Sequence, residues 1–340
     1  MSNPELHHNR SLSYDPDVET VVSGIMGGDR HMLSRAITLI ESQRPEHERK
    51  AHEILDRCLA KKTTSIRIGI TGSPGAGKST FIEALGEEII NQGLKLAVLA
   101  IDPSSRKSKG SILGDKARME KLSARKEAFI RPTASSGYLG GTSPKTHETI
   151  LLCEAAGYDV IIVETVGVGQ SEVLIETMVD FILLLMLPGS GDELQGIKRG
   201  IMEIADAVAI TKTDGDQSNI AGVAKAEFTA ALHMLPAKYP FWERRVFLTS
   251  ALTGKGVREV WQNIQDFFTQ IRSHNLLESQ RQKQLRQLLY TVLEEMLKKE
   301  FFTDPEVIAT KESVEERVLS AELSPFSGAK TLLNSFTRRR

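Results

Sequence analysis

The stretch Gly72–Ser79, within GSPGAGKST, constrains this chain more than any other. It fits the spacing G-x-x-x-x-G-K-[ST], follows the apolar run Ile66–Thr71 and opens a helix-length segment near Thr80. Glycines at 72, 75 and 77 let the backbone curl so that several N–H groups face one small concavity at a helix start, where an anion is favoured. Gly72, Ser73, Pro74, Gly75, Ala76, Gly77, Lys78, Ser79 and Thr80 are therefore the candidate phosphate-holding residues. Lys78 is placed to meet the β- and γ-phosphates of a nucleoside triphosphate, and Ser79 to offer a hydroxyl to Mg²⁺.

A loop of this kind needs a strand before it and a helix after it, and the surrounding pattern supplies both. Short apolar runs at Ile66–Thr71, Leu96–Ile101, Val160–Val163, Phe181–Leu187, Ala207–Ile210 and Val246–Leu248 alternate with helix-length segments. That alternation predicts an α/β fold, a doubly wound and mostly parallel sheet with helices on both faces. Before it, Leu33, Ile37 and Ile40 and then Ile54, Leu55 and Leu59 recur at helical spacing, separated by a turn near Pro45. After Ile271 no strand-like run remains, and Leu285, Leu288, Leu289, Val292, Leu293 and Met296 share one helical stripe. The expected division is an N-terminal helical extension (1–63), a nucleotide-hydrolase domain (64–272) and a C-terminal helical segment (273–340). An apolar stripe that follows a finished α/β domain must be covered by that domain or by a second copy, and a homodimer is expected.

Composition removes several classes of function. A formal net charge of −1 and 26% charged residues imply no general polyanion partner, so no nucleic acid is expected. The longest apolar run, FILLLML, is far short of the about 20 helical residues that a membrane span requires. The N-terminal stretch has no apolar signal core and carries Glu5, Asp15, Asp17 and Glu19, while Cys58 and Cys153 form no C-x-x-C pair; a reducing cytoplasm is the expected compartment. His7-His8 reads as part of a solvated tail, which leaves no Cys- or His-rich segment for metal delivery.

Because ligands of such sheets sit at the carboxyl ends of the strands, acids there are candidates. LAVLAIDPSS ends in Asp102 and VIIVETVGVGQ in Glu164, with Gly167 next to the expected γ-phosphate position. Carboxylates beside phosphates require Mg²⁺ or water between them. Glu164 is expected to hold the metal directly or through water, and Asp102 to position the attacking water or a metal-bound one. Asp115, in GSILGDKARM, is the third acid candidate. The base is set by AVAITKTDGD: the Asp214 carboxylate can accept from the ring N–H and exocyclic amine of guanine, a donor pair adenine lacks, and the stem of Lys212 can lie over the base. Ser250, Ala251 and Leu252 form a further loop able to present an N–H to the guanine carbonyl. Thr211 stands where the more usual N-K-x-D motif has Asn, and loss of that amide removes contacts that brace the loop and touch the base, which predicts weaker affinity or a weaker preference for GTP over ATP.

Together with KGSILGDKARM, FIRP, SSGYLGG, GDELQGIKRG and LSPFSGAKTLL, these motifs resemble the methylmalonyl-CoA-mutase-associated GTPases, a family of cobalamin chaperones whose older members were described as arginine/ornithine transport-system kinases. The resemblance covers nearly the whole chain. It implies a GTPase that gates loading, protection or release of adenosylcobalamin for methylmalonyl-CoA mutase or a related acyl-CoA mutase, with GTP/GDP and Mg²⁺ as ligands and a homodimer as the assembly. It also implies nucleotide, metal and hydrolysis positions at Lys78, Ser79, Asp102, Asp115 and Glu164, and a guanine reader at Asp214. The stretch PGSGDELQGIK looks like a partner-responsive switch, in which Gly189, Gly191 and Gly196 give pliability and Asp192, Glu193 and Lys198 carry charge. Val168, where many GTPases place a water-orienting Gln, implies slow intrinsic hydrolysis. The alternative is a nucleotide-dependent kinase of a basic-amino-acid transport system's binding protein.

Overall fold

The computed structural model describes residues 16–42, 44–59, 64–102, 119–134, 144–165, 175–189, 199–214 and 218–337. Among them the chain opens with helices α1 (Val18–Met26), α2 (Arg30–Glu41) and α3 (Pro45–Cys58). Asp17 and Asp29 cap the first two by accepting from the N–H groups of Thr20 and of His31 and Met32, and Pro45 occupies the first turn of the third, where its missing N–H costs nothing. Then follow β1 (Ile66–Gly72), α4 (Lys78–Asn91), β2 (Leu96–Asp102), the single turn α5 (Glu120–Ser123), β3 (Ala128–Ala134), α6 (Pro144–Ala155), β4 (Val160–Thr165) and β5 (Phe181–Met186). The sheet is completed by α7 (Arg199–Ile204), β6 (Ala207–Ile210), α8 (Ser218–Met234) and β7 (Arg245–Leu248), before α9 (Val257–Ser273) and α10 (Leu276–Thr303). The last elements are α11 (Pro305–Leu319) and α12 (Pro325–Thr337).

The seven strands lie in the order β3-β2-β4-β1-β5-β6-β7, and every ladder is parallel. The doubly wound α/β expectation holds, with one strand more than the apolar runs indicate. β3 escapes a search for apolar runs because AFIRPTA carries Arg131 and Pro132. An edge strand tolerates both: proline removes a ladder donor that an edge does not need, and Arg131 pairs with Glu41 of α2.

Alternation along the strands sends consecutive side chains to opposite faces. Ile68, Ile70, Val98, Ile162, Leu183 and Leu185 face α4 and α9, where Phe81, Leu85, Trp261 and Phe267 are fully buried. Ala97, Leu99, Ile161, Val163 and Ile182 face the other way, against α1, α2, α3 and α6. Residues 18–58 thus form part of the layer covering that second face. Leu184, Met186, Val208 and Ile210 continue the second face under α7 and α8.

At the amino ends of the strands, aspartates set the register. Asp159, Asp180 and Asp206 each precede a strand, and each accepts the N–H of a residue on the neighbouring segment (Lys95, Arg67 and Ile182) while giving its own N–H to that residue's carbonyl. Two opposed hydrogen bonds at each strand entry exclude a one-residue slip, which would invert every side chain. Beside Asp180 the Arg67 guanidinium makes a two-pronged pair with Glu154, both bonds at 2.8 Å, and Ser65 donates to the same carboxylate at 2.5 Å.

Contacts divide the chain into two compact units, Met1–Glu278 and Ser279–Arg340. In the second, Val307 and Val314 of α11 are buried, and Gly328 of α12 comes so close that an added Cβ would meet Val318 Cγ2 at 2.9 Å. The stripe of α10 is covered only in part: Leu285, Leu289, Leu293 and Met296 are exposed, while Leu288 and Val292 are half-buried. No helix among the described residues is long and apolar enough to cross a membrane.

Candidate functional site

β1 is the central strand and ends at Gly72, where the chain passes so close to β5 that a Cβ would stand 2.1 Å from the carbonyl oxygen of Leu185. Only glycine fits there. The loop then turns through Pro74 and Gly75, with the Ala76 N–H donating to Ser73 O at 3.2 Å, and enters α4 through Gly77 at φ +78°. Gly77 offers no side-chain acceptor to the first turn of α4, so the N–H groups there remain directed at the concavity, with the positive end of the helix dipole behind them. Pro74, Gly75 and Thr80 are exposed, and Ser73 and Ala76 are buried against the strand ends.

Lys78 folds over this loop, its Nζ donating to Gly72 O at 3.0 Å and Ser73 O at 3.1 Å. Burial pushes its ammonium below the usual value, and the Glu164 carboxylate opposes that shift. An ammonium held by carbonyls rather than by a fixed carboxylate partner is available to a polyphosphate at the loop mouth. Ser79 Oγ donates to Glu164 Oε1 at 3.1 Å, so the hydroxyl of the first α4 turn and the acid of β4 face the same point although they are far apart in sequence. Glu164 itself is buried, in register with Ile70 of β1 and Ala100 of β2. This donor set, one hydroxyl and one carboxylate beside a phosphate nest, fits Mg²⁺, which takes few protein oxygens and completes its octahedron with phosphate and water. Among the described residues no cluster of three or more His, Cys, Asp or Glu offers an all-protein metal cage.

Asp102 is the last residue of β2, and its backbone lies on the same sheet edge, in register with Ala134. Asp115, Gly167, Val168, Asp192, Glu193 and Lys198 lie outside the described residues. Of the expected switch, Gly189 is described, with φ +82° and its Cβ direction aimed at Ile220 Cγ2, 3.7 Å away.

The segment expected to read the base, Thr211–Asp214, directly follows β6. Thr211 and Thr213 are 3% and 2% exposed, whereas Lys212 and Asp214 alternate with them toward solvent. Lys212 has φ +56°, a left-handed conformation that a residue with a Cβ adopts at some cost, and its Cε passes 3.8 Å from the Cβ direction of Gly77. The lysine stem therefore runs beside the phosphate loop. Thr213 donates to Thr249 O through its N–H at 3.1 Å and its Oγ1 at 3.2 Å, and Thr249 returns both donors to Ile210 O at 2.7 and 3.1 Å. Beyond it, the Ser250 N–H is committed to Lys255 O at 2.9 Å, which transfers the expected meeting with a guanine carbonyl to the N–H groups of Ala251 and Leu252; the Leu252 side chain is exposed.

In place of the amide, the Thr211 hydroxyl braces this loop: its Oγ1 lies 2.7 Å from Ala76 O and 3.1 Å from Met186 O, and its N–H donates to Met186 O at 2.8 Å. Reading the motif only for its missing amide overlooked the hydroxyls. The signal was present, since threonines alternating with exposed charges beyond a buried strand must find acceptors.

The family model described as "Methylmalonyl Co-A mutase-associated GTPase MeaB" matches residues 33–306. GTPase ArgK of Escherichia coli (strain K12) is 45% identical over 305 residues, which cover 90% of this chain and 92% of that protein. The mitochondrial methylmalonic aciduria type A homolog of Mus musculus is 43% identical over 332 residues, 95% of this chain and 80% of that one. Among solved structures, a crystal structure of an LAO/AO transport system kinase superposes with a TM-score of 0.74 at 38% identity, covering 93% of this chain and 96% of that chain. With a phosphate loop at the carboxyl edge of a parallel sheet and these relatives over nearly its full length, the chain belongs to the methylmalonyl-CoA-mutase-associated GTPases and hydrolyses GTP.

Proposed function

We propose that this GTPase is a switch that gates loading, protection or release of adenosylcobalamin for methylmalonyl-CoA mutase or a related acyl-CoA mutase. The observation that carries the reading is the meeting of Lys78, Ser79 and Glu164 at the phosphate loop of a chain whose family model is that of mutase-associated GTPases. In it, the loop N–H groups and Lys78 hold the β- and γ-phosphates and neutralise the charge that grows on them as the bond to the γ-phosphoryl group breaks. Ser79 and Glu164, with Asp102 and Asp115 as the further acids, hold Mg²⁺, which when bound withdraws charge from the same phosphates. Asp214 selects guanine, Lys212 lies along the base, and Asp102 orients water. Residues from Gly189 to Lys198 respond to the mutase, and Gly167 follows the γ-phosphate. The family name and the mammalian relative's name support the mutase as partner, and a second copy of this chain covers the exposed α10 stripe. The chain acts in the cytoplasm in this reading.

The similarity to a protein called a transport system kinase keeps one competing reaction, transfer of the γ-phosphoryl group to a binding protein. Label from γ-labelled GTP separates the two. A switch releases it as free phosphate and forms an isolable complex with purified mutase whose stability depends on GDP or a non-hydrolysable GTP analogue. Label retained on protein, with no mutase complex in either nucleotide state, contradicts the reading.

A further inference from the structure

The Thr211 hydroxyl hydrogen-bonds from the segment that follows β6 to the backbone of the phosphate loop, at Ala76 O. Its proton serves one acceptor at a time, and Ala76 O, at 2.7 Å, is closer than Met186 O, at 3.1 Å. Ala76 is the hinge of the loop, between Gly75 at φ +79° and Gly77 at φ +78°, two residues with little conformational preference of their own. In a planar trans peptide the carbonyl of Ala76 and the N–H of Gly77 belong to one rigid unit and point in opposite directions. A hydroxyl that holds the carbonyl down toward the ends of β5 and β6 therefore turns the Gly77 N–H up into the concavity at the start of α4. Met186 completes the clamp: it accepts the Thr211 N–H at 2.8 Å, and its Sδ receives Ser73 Oγ at 3.8 Å, so Ser73 rests on Met186 directly and Ala76 through Thr211.

We propose that Thr211 is a positioning residue for phosphate, acting through the Ala76–Gly77 peptide, rather than a reader of the base. The inference rests on the reading that Gly72–Ser79 holds the phosphates and Asp214 the guanine. It gives the threonine of this motif a consequence separate from specificity. Loss of the hydroxyl frees the hinge and weakens every nucleotide by the same factor, because the phosphates are common to all of them. The preference for guanine stays where Asp214 sets it.

The test uses the full chain and dissociation constants for GDP, IDP and a non-hydrolysable GTP analogue, IDP lacking the exocyclic amine expected to face Asp214. Thr211→Val keeps the shape and removes the donor; Thr211→Ser keeps the donor. The expected result for Thr211→Val is a roughly tenfold loss for all three ligands, in line with leaving a buried carbonyl unpaired, with an unchanged GDP:IDP ratio. Thr211→Ser binds within about twofold of the parent, by the same reasoning. In protein labelled with ¹⁵N-glycine, the Gly77 amide resonance of the GDP complex moves in Thr211→Val and returns in Thr211→Ser. A purely structural role lowers the fraction of active protein, counted by stoichiometric titration, and leaves both the dissociation constant and that resonance in place. Parent-like affinity in Thr211→Val, a changed GDP:IDP ratio, or failure of Thr211→Ser to restore binding overturns the proposal. Asp214→Asn serves as the control: if it leaves the GDP:IDP ratio unchanged, the base-reading assignment fails while Thr211 is still judged by its phosphate effect. A parent protein without affinity for GDP overturns both.

Discussion

At the phosphate loop, backbone conformation and charge are inseparable, and two residues show it. Gly72 has no room for a side chain, since a Cβ would fall 2.1 Å from the backbone oxygen of Leu185, which cannot move without opening the β1–β5 ladder. Gly72→Ala is expected to weaken GTP binding by more than about tenfold, equivalent to over ~1.4 kcal/mol, and titration calorimetry of the variant checks it. Lys78 carries the charge that the concavity needs. Lys78→Ala is expected to abolish tight triphosphate binding, and Asp214→Asn to lower the preference for GTP over ATP; unchanged affinity in the first and unchanged preference in the second would contradict the assignments. These residues were legible because each is required by a local rule: glycine at a close approach, lysine and serine at a helix start, an acid beyond a strand. The pairing of Ser79 with Glu164 was legible only as a shared edge, and the clamp at Thr211 was not legible, because hydroxyl acceptors such as Ala76 O belong to segments remote in sequence.

Among the elements, the strands were readable where an apolar run marks them, which includes the edge strand β7, and unreadable at β3, where polar residues and a proline interrupt the run. β5 is a continuous apolar run, β4 opens with one and β1 alternates isoleucines with other residues, while β3 holds Arg131 and Pro132 and becomes a strand by pairing with β2. The charged staple beneath the sheet was equally hidden, since Arg67 and Glu154 are nearly 90 residues apart. Removing one partner strands a buried charge. Glu154→Ala is expected to cost on the order of 3–5 kcal/mol in chemical denaturation, and replacing both partners by apolar residues to restore most of that loss. Next to this pair, His147 of α6 lies within 3.5 Å of Thr177 Oγ1, and burial, reinforced by the Arg67 charge, pushes its imidazole down to about 3. An unfolded histidine titrates near 6.5, so between those values the unfolded chain takes up a proton that the folded chain refuses. The stabilisation is complete above about pH 6.5 and is lost as the pH falls, at up to ~1.4 kcal/mol per pH unit. His147→Gln should flatten the dependence of unfolding free energy on pH in that window by about one proton. An unchanged slope would contradict the assignment.

The molecule as a whole joins an α/β sheet, one face of which is covered in part by α1–α3, to a helical C-terminal unit that leaves apolar side chains uncovered. Its fold class was written in the alternation of short apolar runs and helix-length segments, whereas the way residues 18–58 pack depends on tertiary contacts that no local pattern states. The exposed α10 stripe belongs to this scale too: Leu289 is 63% and Met296 60% exposed. If a second copy covers it, Leu289→Glu combined with Leu293→Glu converts a dimer to a monomer in sedimentation, with nucleotide affinity retained; a parent chain that sediments as a monomer would contradict the assembly. If GTP turnover serves a partner, the rate of phosphate release from GTP by the purified chain must differ between the chain alone and the chain with stoichiometric adenosylcobalamin-dependent acyl-CoA mutase. A partner-controlled switch releases phosphate slowly alone and roughly tenfold or more faster with the mutase, an increase absent in Lys78→Ala. The same rate with and without the mutase, in either cofactor state of that enzyme, would contradict it.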